Sequence, residues 1–229
     1  MQELDLLILG AGWTSQFLIP LLSRQGLTYA ATTRSGSDNT IPFTFDPDQP
    51  LDAQLSIFKT LPQARVVLIT FPLKSAGSSK LLIDSYNTTH DAHKHNHRFI
   101  QLGSTGIWQI PEATNDSYWV TRHSTYDTEN SRAIAEDELR RLGGCVLNLA
   151  GLWGGERQPR NWVDRIARSK EDVRGKGSLH MIHGVDVARA IIAVMSHWDR
   201  AAGERWMLTD GFVYDFWALF AAGYPIIGL

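Results

Sequence analysis

Cysteine is nearly missing from this chain. One residue, Cys145, occurs in 229, so no disulfide can form within the chain. That scarcity suits a reducing compartment and predicts a cytoplasmic protein. Long apolar runs are missing too. No stretch of about 18 apolar residues is available to cross a bilayer, and the first strand begins by residue 5 with no signal peptide before it. Neither sign of charge dominates: 22 Lys and Arg face 24 Asp and Glu, for a net charge of −2 and a pI near 6.4. Such a balance gives no reason to expect nucleic acid or an anionic membrane surface as a partner. Internal repeats and low-complexity tracts are also absent. What remains is an ordinary globular composition, 43% hydrophobic and 20% charged, able to bury a full core within one domain spanning residues 1–229.

The richest local signal is Asp5-Leu6-Leu7-Ile8-Leu9-Gly10-Ala11-Gly12. Residues 6–9 form an apolar run fit for a buried strand, and two glycines follow at once. Residues 13–24 then carry Phe17, Leu18, Leu21 and Leu22 at helical spacing, with Pro20 inside the run as a predicted kink and Gly26 as its stop. A strand, a glycine turn and a helix in this order open a dinucleotide-binding βαβ unit. Gly10 permits the tight turn, and Gly12 lets the backbone approach a pyrophosphate. Trp13, Thr14 and Ser15 begin a helix whose unpaired N–H groups face the phosphates. Ser15 stands where the third glycine of the fingerprint would be.

The second strand, residues 27–33, ends in Arg34-Ser35. An acidic residue there would accept the ribose 2′-hydroxyl of NAD. Arg34 instead suits a 2′-phosphate through paired, charge-assisted hydrogen bonds, so the sequence favours NADP, with NAD as the alternative.

Further strands are expected at 41–45, 65–71, 98–103 and 144–150, with helices at 51–58, 79–87 and 130–143 between them. A helix at 185–198 and a short strand at 205–209 follow. This alternation predicts an α/β fold, a doubly wound parallel sheet with right-handed crossovers. Residues 151–180 and 205–229 are expected to contribute a small substrate cap. Ligands of such sheets lie beyond the carboxyl ends of the strands, at the switch in strand order. That rule singles out Thr70-Phe71-Pro72-Leu73 after the fourth strand, Gly103-Ser104-Thr105-Gly106 after the fifth and Ala150-Gly151-Leu152-Trp153 after the sixth.

Several segments share a family look. Leu102-Gly103-Ser104-Thr105-Gly106-Ile107-Trp108 resembles the S-S-T-G-V-Y run of extended short-chain dehydrogenases/reductases, the NAD(P)-dependent epimerase/dehydratase-like Rossmann-fold proteins. Asn148-Leu149-Ala150-Gly151-Leu152-Trp153-Gly154 is similar to that family's R-P-G-x-I-Y-G. Met181-Ile182-His183-Gly184-Val185-Asp186-Val187-Ala188 is similar to I-H-V-D-D-V-A, and residues 203–211 to its late G-x-x-Y-N-x-x-D-G run. With the glycine turn, five weak segments fall in order over nearly the whole chain. The match is to a shorter, atypical branch, since typical extended members are longer.

The resemblance implies a nicotinamide cofactor, a small-molecule carbonyl or alcohol substrate, and a catalytic Tyr-x-x-x-Lys. Here Ala135-Glu136 sets the register, which puts Arg132 at the Lys position and Thr128 at the Tyr position. The two are expected four residues apart on one helix face. Threonine does not titrate near neutrality, and Arg132 can hold ribose hydroxyls but cannot shuttle a proton. Ser104 takes the family's substrate-oxygen role. Tyr126, two residues earlier than Thr128, or water would then deliver the proton.

Other features read more plainly. His183 is a structural histidine, and the cluster from His90 to His97, with His93 and His97 four apart, is a solvated helix end or loop rather than a metal site. Trp108 and Trp153 either wall the cleft or pack in the core. A basic stretch from Arg157 to Arg174 is a solvated face or a grip on an anionic substrate. Two functions remain: an NADP-dependent oxidoreductase or epimerase-like enzyme, or a catalytically silent NAD(P)-binding sensor. The sequence does not set the oligomeric state, and a homodimer is compatible with it.

Overall fold

The computed structural model describes residues 3–37, 39–90, 96–109, 119–162, 174 and 178–221. Seven parallel strands form the main sheet: β1 (Leu4–Leu9), β2 (Tyr29–Thr33), β3 (Ile41–Pro42), β4 (Ala64–Ile69), β5 (Arg98–Ser104), β6 (Cys145–Leu149) and β10 (Arg205–Leu208). Their spatial order is β10-β6-β5-β4-β1-β2-β3, which reverses direction between β1 and β4. The expected doubly wound α/β sheet is therefore present.

Residues 6–9 have no exposed surface, and neither do 66–69. A strand sends alternate side chains to opposite faces. Leu6 and Ile8 thus join Val66, Leu68, Leu18 and Leu22 in one core cluster, while Leu7 and Leu9 join Val67, Ile69, Phe58 and Leu82 in another. Helices cover both faces, which is why the central strands read as continuous apolar runs. The first cluster takes α1 (Ser15–Arg24) and α5 (Gly184–Ser196); the second takes α2 (Leu51–Phe58), α3 (Ser78–Thr89) and α4 (Ser131–Arg141).

α1 runs through Pro20 as one helix. The carbonyl that loses its donor belongs to Gln16, which shares the exposed face with Pro20. Cys145 is fully buried in β6, and burial pushes its thiol up to about 12. Among the described residues no helix is long and apolar enough to cross a membrane.

Beyond residue 150 lie two small sheets. β7 (Gly151–Trp153) pairs in parallel with β9 (Met181–His183), and β8 (Ser178–Leu179) pairs antiparallel with β11 (Tyr214–Asp215). Residues 205–208, placed by sequence within the cap stretch 205–229, instead complete the main sheet against β6. Their register on β6 carries Trp206 opposite Leu147 and Leu208 opposite Leu149, continuing the apolar layer. Residues 222–229 lie outside the described part.

Candidate functional site

Gly10 is held by its neighbours. Its φ is +94°, a left-handed value, and a Cβ there would come within 2.6 Å of Thr70 Oγ1. Thr70 donates its hydroxyl to the carbonyls of Gly10 and Leu9, and Thr32 Oγ1 accepts the Gly10 N–H at 3.0 Å. β1, β2 and β4 thereby fix the turn. Gly12 is different: no heavy atom lies within 4 Å of where its Cβ would stand. After it, the main-chain N–H groups of Trp13 and Thr14 find no acceptor among the described residues, whereas that of Ser15 bonds Gly12 O at 3.1 Å. Two free donors at the start of a helix, beside an open glycine, suit an anion.

Gly12, Trp13, Thr14 and Thr70 line one cleft of about 420 Å³ at the carboxyl ends of the strands. Gly12, Trp13 and Thr14 come from the first turn, Thr70 and Pro72 from beyond β4, and Leu102, Gly103 and Ser104 from β5. Arg132 enters from α4, Leu149 from the end of β6, and Ala150, Leu152 and Arg157 from beyond it. Of the residues singled out by sequence, the cleft brings together Gly12, Trp13, Thr14, Pro72, Gly103, Ser104 and Arg132. Thr70, Ala150 and Leu152, which follow strands, line it too, and Arg157 joins them from the basic stretch read as a solvated face or a grip on an anionic substrate.

The other candidates stand apart from the lining. Ser15 is buried, with its Oγ unpartnered, at the first position of α1. Phe71 stacks on Phe45 over the second core cluster. Arg34 is exposed at the end of β2 and makes no side-chain bond among the described residues, and Ser35 donates to Ser37 Oγ. Tyr126 donates to the Asp137 carboxylate at 2.8 Å and packs on Trp108.

Thr128 is exposed in the turn before α4, so it and Arg132 do not share a helix face as the sequence reading expected. The cause is local. Asn130 Oδ1 accepts the N–H groups of Arg132 and Ala133, which caps the helix and starts it at Ser131.

Ser104 Oγ accepts the Gly106 N–H at 3.1 Å and leaves its own proton free to donate. Its carbonyl accepts from Asn148 Nδ2, which also donates to Glu136. Glu136 Oε2 in turn receives Arg205 Nη2 at 3.1 Å, with both side chains almost wholly buried. Burial pushes the Glu136 carboxyl up from the ordinary range; Asn148, Arg205 and the Ser104 backbone pull the other way. Gly103 is needed here, because a Cβ would reach within 2.5 Å of Glu136 Oε1. A buried polar network thus sits beneath Ser104. Sequence reading used Glu136 only as a register mark.

The cleft mouth is aromatic. Trp13 Nε1 donates to Gly154 O at 3.0 Å, and Phe17 packs between Trp13 and His183. His183 is structural as expected: Nδ1 caps α5 by accepting the Val185 N–H. Trp153 meets His183, and Trp108 lies buried with its Nε1 on Ser124 O; neither lines the cleft. His90, expected to be solvated, is buried, with its ring nitrogens at Tyr86 O and Leu61 O. His97 bonds Asn87, while His93 lies outside the described residues. Among the described residues no group of acidic, His or Cys side chains could hold a metal.

No known protein family matches the sequence, and no curated protein does. Solved structures match the fold. A Methylobacillus flagellatus protein assigned as an NAD-dependent epimerase/dehydratase superimposes with TM-score 0.67 at 15% identity, over 100% of this chain and 86% of its own. RMD from Pseudomonas aeruginosa, complexed with NADPH, gives 0.62 at 15% identity over 95% and 82%. A short-chain dehydrogenase/reductase superfamily protein from Agrobacterium tumefaciens with bound NAD gives 0.60 at 15% over 95% and 81%. The chain has the Rossmann fold of these proteins.

Proposed function

We propose that the protein binds NADP(H) in this cleft and interconverts a small carbonyl compound and its alcohol. It would then be an atypical, epimerase-like member of the extended short-chain dehydrogenases/reductases. The observation that carries the reading is the open Gly12 beside the free N–H groups of Trp13 and Thr14. That arrangement fits a pyrophosphate, and nothing in the packing requires a glycine there. The preference for NADP over NAD rests on Arg34, whose guanidinium has no partner among the described residues. The structural neighbours carry NAD in three cases and NADPH in one, so the fold takes either nucleotide.

The nicotinamide ring supplies or accepts a hydride when bound. Ser104 donates its free hydroxyl proton to the substrate oxygen as a hydrogen bond. Arg132 offers its guanidinium to ribose hydroxyls, since it makes no side-chain hydrogen bond or ion pair among the described residues. The described lining residues include no carboxylate, histidine, lysine, tyrosine or cysteine, so water exchanges the proton at the substrate oxygen. Tyr126 is committed to Asp137. From residues 151–180, Leu152 and Arg157 contribute the substrate side of the cleft, and Phe216 beyond β10 lines the cavity next to it.

The same shortage of acid and base favours a second reading, a sensor that binds the cofactor without turnover. NADPH oxidation, followed with panels of aldehydes, ketones and quinones, separates the two. Saturable turnover on any member supports the enzyme; tight cofactor binding with none supports the sensor.

A further inference from the structure

A second cavity of about 650 Å³ adjoins the cleft, and the two share Leu152 and Arg157 as wall. Its apolar wall is Leu152, Leu179, Trp162 and Phe216; its charged groups among the described lining residues are Glu156 and Arg157. The cleft itself is lined by two guanidiniums, Arg132 and Arg157, and by no described carboxylate. The Arg157 guanidinium lies 4.8 Å from the centre of the Trp13 ring and makes no ion pair among the described residues. An indole face orients a guanidinium without neutralising it, so its N–H fork stays available. If the cofactor phosphates take the α1 donors and the ribose takes Arg132, Arg157 has no anion of its own.

We infer that Arg157 grips the oxyanion of the substrate, and that the substrate is an organic acid with an apolar or aromatic body. Its carbonyl points toward Ser104, its carboxylate or phosphate sits on Arg157, and its body enters the second cavity. Glu156 keeps the anion at the shared wall, because deeper seating would bring two negative charges together. This inference rests on the cofactor reading for the orientation of the ligand, but Arg157 and the cavity can be tested apart from it.

The test is calorimetry with phenylpyruvate, its methyl ester and phenyl phosphate, each titrated with and without NADP+. Oxidised cofactor prevents turnover of the keto acid. Wild type should bind one of the two anions at least about tenfold tighter than the neutral ester, as a charge-assisted hydrogen bond implies. The tighter of the two identifies carboxylate or phosphate. Arg157→Ala should weaken the anion about ten- to a hundredfold and the ester less than threefold, with Arg157→Lys between wild type and Ala. Affinity for both anions no greater than that for the ester in wild type overturns the inference. So does an equal loss for both in Arg157→Ala, which would make the residue a packing partner of Trp13. Binding of neither anion, with or without NADP+, overturns it as well. Should Arg157→Ala fail to fold, the comparison of both anions with the ester in wild type still decides. Failure of NADP+ alone to bind is a separate result and counts against the proposed function.

Discussion

Gly10 and Gly12 stand two residues apart and are glycine for different reasons. Gly10 combines a left-handed φ with contact against Thr70. Gly10→Ala should therefore cost about 1–3 kcal/mol of stability, read as a lower urea midpoint at unchanged slope. Gly12 meets nothing. Gly12→Val should keep the wild-type midpoint and lose dinucleotide binding, because its branched side chain occupies the phosphate space. An unchanged NADPH affinity in that variant would remove the glycine turn from the site. Arg34 decides a narrower point. A guanidinium–phosphate pair contributes about 1.5–3 kcal/mol, so Arg34→Ala should bind NADPH roughly ten- to a hundredfold more weakly and NADH almost as before. Fluorescence titration of both nucleotides measures it. Equal wild-type affinity for NADH and NADPH would contradict the assignment. At this scale the sequence was legible where a residue follows a strand in the first turn; for Arg157, which arrives from a distant loop, it left a solvated face and a grip on an anion undecided, because spacing along the chain does not show which loop side chain reaches the cleft.

The decisive element is α4. Its apolar positions were readable from periodicity, and the sequence range 130–143 nearly matches the observed Ser131–Arg141. The position of its first turn was not. A family register counted back from Ala135-Glu136 puts Thr128 on the helix, whereas the Asn130 cap ends the helix three residues short of it. Replacing Thr128 with Tyr and Arg132 with Lys together should therefore not create a proton relay. NADPH oxidation on an activated ketone should not exceed wild type, and a gain of tenfold or more would mean the turn refolds into helix. The same helix carries Glu136, whose partner Arg205 is 3% exposed. Glu136→Ala leaves that guanidinium with Asp137 at 3.2 Å as its remaining carboxylate. The expected loss is about 3 kcal/mol, toward the lower end for a broken buried pair, because Asp137 remains. Denaturant unfolding measures it, and a loss under about 1 kcal/mol would contradict the coupling. The small strands β7, β8, β9 and β11 could not be read ahead, since runs of two or three residues carry no period.

For the molecule as a whole, the parallel sheet was legible because strands buried on both faces must be apolar throughout and must alternate with helices. That reasoning located the strands β1 to β6 and a short strand at β10, without their order in the sheet. It did not show that residues 205–208 return to the sheet, because an edge strand of four residues looks like any short β-rich run. Nor did it show how the segment after β6 closes on α1 through Trp13, Phe17 and Gly154. That closure brings Arg157 to the cleft and joins the second cavity to the first. The account depends most on the cleft being a dinucleotide site. Isothermal titration of the wild-type protein with NADPH, and separately with NADH, tests this directly. One saturable site per chain, at least about tenfold tighter for NADPH, is the predicted result. No saturable binding of either nucleotide would contradict the account.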